Sequence, residues 1–152
     1  MFVSLTRLHI ASRRFYPLAF LQSLRTARDA ARTPGFRTGR LLRAERRTLW
    51  TITGWDDDAA MKVYRNAGLH LALMPKLMQW CDEAAVAHWT QGDNEPLLDW
   101  SDAHRRLQDS GRPAKVKHPT ADQLAFLIAP LGKFTRTNDL PLNIFAHRRA
   151  VV

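Results

Sequence analysis

The sequence predicts an α+β protein: a ferredoxin-like βαββαβ unit whose antiparallel four-stranded sheet carries two helices on one face. Three observations predict it. Runs of β-branched, aromatic and apolar residues at Phe2–Ile10, 36–47, Thr48–Trp55 and 83–91 are interleaved with two helix-period runs in the order strand, helix, strand, strand, helix, strand. Of 152 residues, 45% are hydrophobic and 24% charged, a composition that folds rather than one that stays disordered. Four prolines, at 113, 119, 130 and 141, punctuate the last third, so residues 1–91 read as the domain and 92–152 as an irregular extension wrapping it.

The elements follow in order. FVSLTRLHI is short, rich in β-branched and apolar residues, and ends at a polar cluster. From Phe15 the period changes: Phe20, Leu24, Ala27 and Ala31 recur at steps of four, three and four, Pro17 suits a first turn, and Pro34-Gly35 stops the run. TLWTITGW is the strongest strand signal in the chain, with apolar groups at both parities. Asp56-Asp57-Asp58 then opens a helix, as acids at a helix start cap it and oppose its dipole. Ala60, Val63, Ala67, Leu71, Met74 and Met78 make one apolar stripe on this helix, which Pro75 should kink near Leu71. In the extension, SDAHRRLQD reads as a helix capped by Asp99 or Ser101 and closed by Gly111, with a further strand expected at 124–128.

Charge and cysteine content narrow the function classes. The net charge of +9 is uneven: +9 over 1–47, −5 over 48–100 and +5 over 101–152. No block of five basic residues occurs, and the Arg25, Arg28 and Arg32 stripe has no aromatic neighbour to stack a base, so no specific nucleic-acid site is expected. Charge-free runs reach only about ten residues, half of what a transmembrane helix needs, and the chain is expected to have no such segment. One cysteine, Cys81, excludes an internal disulfide framework and suits a reducing cytoplasm. Six histidines without an i,i+4 pair give no dedicated metal site.

Nucleotide-loop, nucleophile-elbow and zinc-protease motifs are absent. Asn66 and His70, four residues apart at the shoulder of the apolar stripe, are the candidate catalytic pair: the imidazole can exchange a proton near neutral pH and the amide can hold a carbonyl or peroxide. Trp50, Trp55, Tyr64, His88 and Trp89 fall on the third and fourth strands and the helix between them, where they could enclose a flat apolar ligand. A sheet with apolar groups on both faces and helices on only one is expected to cover the other by pairing with a second copy.

The segment GWDDDAAMKVYRNAGLHLALMPKL, with a Trp ending the third strand and a small-x-x-His pattern at Ala67 and His70, resembles the strand-to-helix passage of dimeric α+β barrel proteins of the antibiotic-biosynthesis-monooxygenase type. The run from Phe2 to Gly35 and DWSDAHRRLQDSGRPAKVKHP look most like spheroidene-monooxygenase-like proteins and their uncharacterised relatives. The resemblance covers about residues 2–91 and implies a dimeric α/β barrel, a homodimer, and oxygenase chemistry on an apolar small molecule. Haem-degrading members of that superfamily carry an Asn on the first strand and a Trp in the second helix, and neither is here. Haem held by a single His stays open as a cofactor. A non-catalytic dimer that binds a small ligand is the alternative function.

Overall fold

The computed structural model describes residues 1–146; the end of the extension, 147–152, lies outside the described residues. Strands β1 (Phe2–Ile10), β2 (Phe36–Ala44), β3 (Thr48–Trp55) and β4 (Cys81–Thr90) form an antiparallel sheet in the order β4-β1-β3-β2, with helix α1 (Tyr16–Arg32) crossing from β1 to β2. That is the expected α+β, ferredoxin-like order, and the sheet is open. Two short strands extend its edges: β5 (Arg112–Pro113) pairs with β4, and β6 (Asp139–Pro141) pairs with β2.

Between β3 and β4 the chain forms two helices where the sequence predicts one. Helix α2 (Asp58–Arg65) starts as expected, with Asp57 accepting from the Ala60 amide at 2.8 Å. It stops at Asn66; Ala67 is extended, Gly68 takes φ +55°, and α3 (Gly68–Trp80) begins. A left-handed φ favours glycine, and an added Cβ would meet nothing within 4 Å, so the constraint at Gly68 is backbone conformation alone. The break resets the helical phase. Val63, Ala67, Leu71 and Met74 of the expected stripe are exposed, and Met61, Leu73 and Trp80 are buried instead. Pro75 sits within α3 without ending it; Leu71, whose carbonyl it leaves unbonded, is on the exposed side where water can replace the lost bond.

Registers divide the sheet's side chains cleanly. Ser4, Thr6 and Leu8 of β1, Thr51, Thr53 and Trp55 of β3, and Ala84, Val86 and His88 of β4 face α1, α2 and α3. Val3 and Leu5, Trp50 and Ile52, and Ala85 and Ala87 point the other way. That second face is covered from within the chain, where the sequence predicts it bare. Helix α4 (Trp100–Ser110), capped by Asp99, one of the two caps its sequence offers, and followed by Gly111 as expected, lays Trp100, Ala103 and Leu107 on it. Residues 124–128 are no strand: α5 (Ala121–Ala125) ends at Phe126 in a left-handed turn, and Ile128 joins the same core.

Two polar devices fix the extension in place. The Gln123 amide mimics a strand, accepting from the Ala84 N–H and donating to the Ala84 carbonyl, each at 3.0 Å, and donating also to the Ala114 carbonyl. Arg7 and Glu83 form a buried ion pair at 2.7 Å, and Thr120 donates to the other Glu83 oxygen at 2.9 Å. Arg7 and the Thr120 donation hold the Glu83 carboxyl below its usual range although burial alone would raise it.

Leu107→Ala, which empties a site on the second sheet face, should cost about 2–5 kcal/mol in urea unfolding. Val63→Ala should change stability by no more than about 0.5 kcal/mol. Equal losses for the two would return Val63 to the core.

Candidate active site in a helix-to-sheet cavity

Short side chains make the cavity. Ser4, Thr6, Thr51, Thr53 and Ala84 pave the sheet, while Ser23, Thr26, Ala27 and Ala30 form the facing side of α1. Neither set is long enough to fill the space between the layers, and a void of about 330 Å³ remains. Leu73, Met74, Leu77 and Met78 of α3 close one flank. The extension closes another: residues 112–116 line the cavity, as does Leu142 from a 3-10 turn at Leu142–Phe145. The volume lies at the lower end of the range for small-molecule sites.

His70 lines this cavity. Its Nδ1 lies 3.1 Å from the Arg65 carbonyl oxygen, which can only accept, so Nδ1 carries the proton and Nε2 of the neutral ring is the acceptor. Burial, helped by the nearby Arg65 charge, lowers the His70 pKa from its ordinary 6.5 and keeps the ring neutral at pH 7. An aromatic chain sets its orientation: Tyr64 meets His70 edge-on at 4.9 Å between centroids, and Trp55 stacks on Tyr64 at 5.3 Å. The Tyr64 hydroxyl donates to the Thr26 carbonyl at 3.1 Å, tying α2 to α1, and burial pushes its pKa far up.

The other predicted site residues separate. His88 and Tyr64 line the cavity with His70. Trp55 lies one layer out, fully buried behind Tyr64. Trp50 and Trp89 are on the opposite sheet face, Trp50 buried beside His104 and Trp89 under the Arg106 guanidinium at 4.8 Å, so neither touches the cavity. Asn66 is the exposed C-cap of α2 and does not line it either, because the helix break removes the i,i+4 relation that would have paired it with His70. Sequence reasoning passed over the hydroxyl floor of Ser4, Thr6, Thr51 and Thr53, and also Gln22. The signal was there: on one parity, β1 and β3 carry small hydroxyl residues where a packed core would carry Leu or Ile.

A neutral His with Nδ1 donating to a carbonyl is also an arrangement seen in metal ligation. A cavity of about 330 Å³ is small for a porphyrin. Cys81 offers no nucleophile, since burial first and Asp82 second push its thiol up to about 12.

No protein-family model and no curated protein matches the sequence. Solved structures do match the fold. An antibiotic biosynthesis monooxygenase superposes with a TM-score of 0.55 at 13% identity, over 60% of this chain and 99% of that one. SnoaB of Streptomyces nogalater, described as a cofactor-independent oxygenase and solved as a point variant, superposes with a TM-score of 0.52 at 21% identity, over 62% of this chain and 97% of that one. The chain therefore has the antibiotic-biosynthesis-monooxygenase fold. The finer likeness to spheroidene-monooxygenase-like proteins is not carried by these matches. Among the described residues no helix is long and apolar enough to cross a membrane.

Because the folded protein binds the His70 proton less readily than the unfolded chain does, stability is held above pH 6.5 and falls as the pH drops toward the lower folded value. His70→Gln should flatten this part of the pH dependence of the urea midpoint. His88, also lowered by burial and by Arg112 and Arg65, should keep a residual slope. An unchanged profile in the variant would place His70 in contact with water.

Proposed function

We propose that the chain binds an apolar small molecule in the helix-to-sheet cavity and acts on it as an oxygenase-type enzyme, with His70 as the general base. The observation that carries this reading is the neutral imidazole, oriented by the Arg65 carbonyl and by Tyr64, with its acceptor nitrogen unused in a largely apolar cavity. An acidic C–H beside an aromatic ring or carbonyl loses its proton to His70 Nε2, and the resulting electron-rich anion reduces dioxygen directly. One oxygen atom ends as a carbonyl on that carbon and the other leaves as water, the two C–H hydrogens supplying its protons and the substrate its electrons. The fold shared with a protein described as a cofactor-independent oxygenase supports this chemistry.

The position of Asn66 favours a second reading. With that amide outside the cavity, His70 lacks the neighbour expected to hold an oxygen anion, and a carrier that binds without turnover has the same cavity. In both readings residues 1–91 hold the base, and the extension completes the site. The homodimer that the resemblance implies would form through a surface other than the sheet face that α4 occupies. Cytoplasmic location is supported by the single, buried cysteine.

Oxygen uptake with a panel of three-ring ketones bearing an acidic methylene separates the two. For the enzyme, His70→Ala lowers kcat by roughly a hundredfold or more while ligand affinity changes little. Ligand binding without oxygen uptake in the unaltered protein would establish the carrier.

A further inference from the structure

Three cations line the cavity, Arg65, Arg112 and Lys115, and no Asp or Glu does. Among the described residues none of the three lies within 4.0 Å of a carboxylate; the Arg65 side chain is held only by a 3.3 Å contact from Nε to the Asn66 side-chain oxygen. The acids are outside, around a wider vestibule of about 530 Å³ that shares Arg65, His88 and Arg112 with the cavity. Each of those acids is already engaged: Asp56 pairs with Arg37 at 2.6 Å, Asp58 with Lys62 at 2.5 Å, and Asp57 caps α2. On its cavity side the mouth therefore carries cations only, and the acids lie on its vestibule side, each already paired or capping.

A second observation lies deeper. Gln22 of α1 lines the same cavity, and its side-chain oxygen is buried without a hydrogen-bond donor. Leaving a buried acceptor unpaired costs about 1–3 kcal/mol, and a ligand O–H or N–H would remove that cost.

Resting on the reading of this cavity as a small-molecule site, we infer that its occupant is an apolar acid, with its anionic group at the mouth against Arg65 and Arg112 and a hydroxyl or N–H deeper in for Gln22. Arg112 and Lys115 come from the extension, so the anion is gripped from both parts of the chain. Burial first, and then the Arg112 and Arg65 charges, lower the His88 pKa, with Asp58 acting the other way, so the positive charge at the mouth rests with the arginines and Lys115.

The test compares two fluorescent probes that share an apolar body and an N–H and differ in charge: 8-anilinonaphthalene-1-sulfonate and its uncharged parent N-phenyl-1-naphthylamine. The full chain should bind the sulfonate roughly tenfold more tightly. The double variant Arg65→Gln/Arg112→Gln, on side chains that are not part of the core, should erase that preference and leave the uncharged probe within about twofold. Gln22→Leu should weaken both probes alike. Equal binding of the two probes by the unaltered chain, or a sulfonate preference that survives the double variant, overturns the anionic group and leaves the cavity reading standing. Binding of neither probe to chain that is folded by circular dichroism overturns the cavity reading and this inference with it.

Discussion

A sheet that is apolar on both faces must be covered on both, and most of the architecture answers to that constraint. In β3 only Thr51 is more than marginally exposed; Trp50 and Ile52 face one way, Thr53 and Trp55 the other. Helices α1 to α3 supply one cover and α4 with the 126–131 loop the other, so the extension is a structural layer and not a tail. Packing on the α4 side is dense, with Leu5, Trp50, Ile52 and Leu107 all essentially inaccessible. The side toward α1 is loosely filled. The two faces of one sheet thus divide the labour, one holding the fold together and one left partly empty.

The emptiness is arranged at the level of single side chains. Had Thr6 and Thr51 been leucines, the layers would have closed as they do on the opposite face. Hydroxyl residues stay short, and their oxygens reach the local backbone, as Thr53 does with the Ser4 carbonyl and Thr26 with Ser23. Buried aromatics then frame the gap without entering it. Trp55, at the end of β3, braces Tyr64, and Tyr64 braces His70, so the imidazole completes a row of three rings anchored in the sheet.

Much of this was legible in the residues. The order of the four main strands, the acidic start of α2, the cap at Asp99 or Ser101 and the role of Gly111 follow from local chemistry that the tertiary structure does not override. The Asn66-Ala67-Gly68 break was harder, because one glycine inside a helix-period run is compatible with a continuous helix, and two turns of apparent amphipathicity outweighed it. Once the phase was lost there, the positions of Val63, Leu71 and Asn66 were lost with it. Strand parity posed a different problem: where both faces are apolar, alternation says that Trp50 and Trp55 are opposed and not which of them meets the ligand. His70 kept its place for a reason independent of the helix stripe, since its position is fixed by the Arg65 carbonyl one residue before the break.

The wall formed by residues 112–116 has a thermodynamic consequence. Those residues are held by the Gln123 amide and by Ala114 pairing with Ala84, and they also border the cavity. Occupancy of the cavity and docking of the extension are therefore one linked equilibrium: whatever the bound molecule gains from the closed wall, the wall gains from the bound molecule. If the cavity takes a ligand, that linkage would make the backbone around 112–116 less open to proteases in the filled form than in the free one, and the protein's lifetime would follow the supply of what it binds.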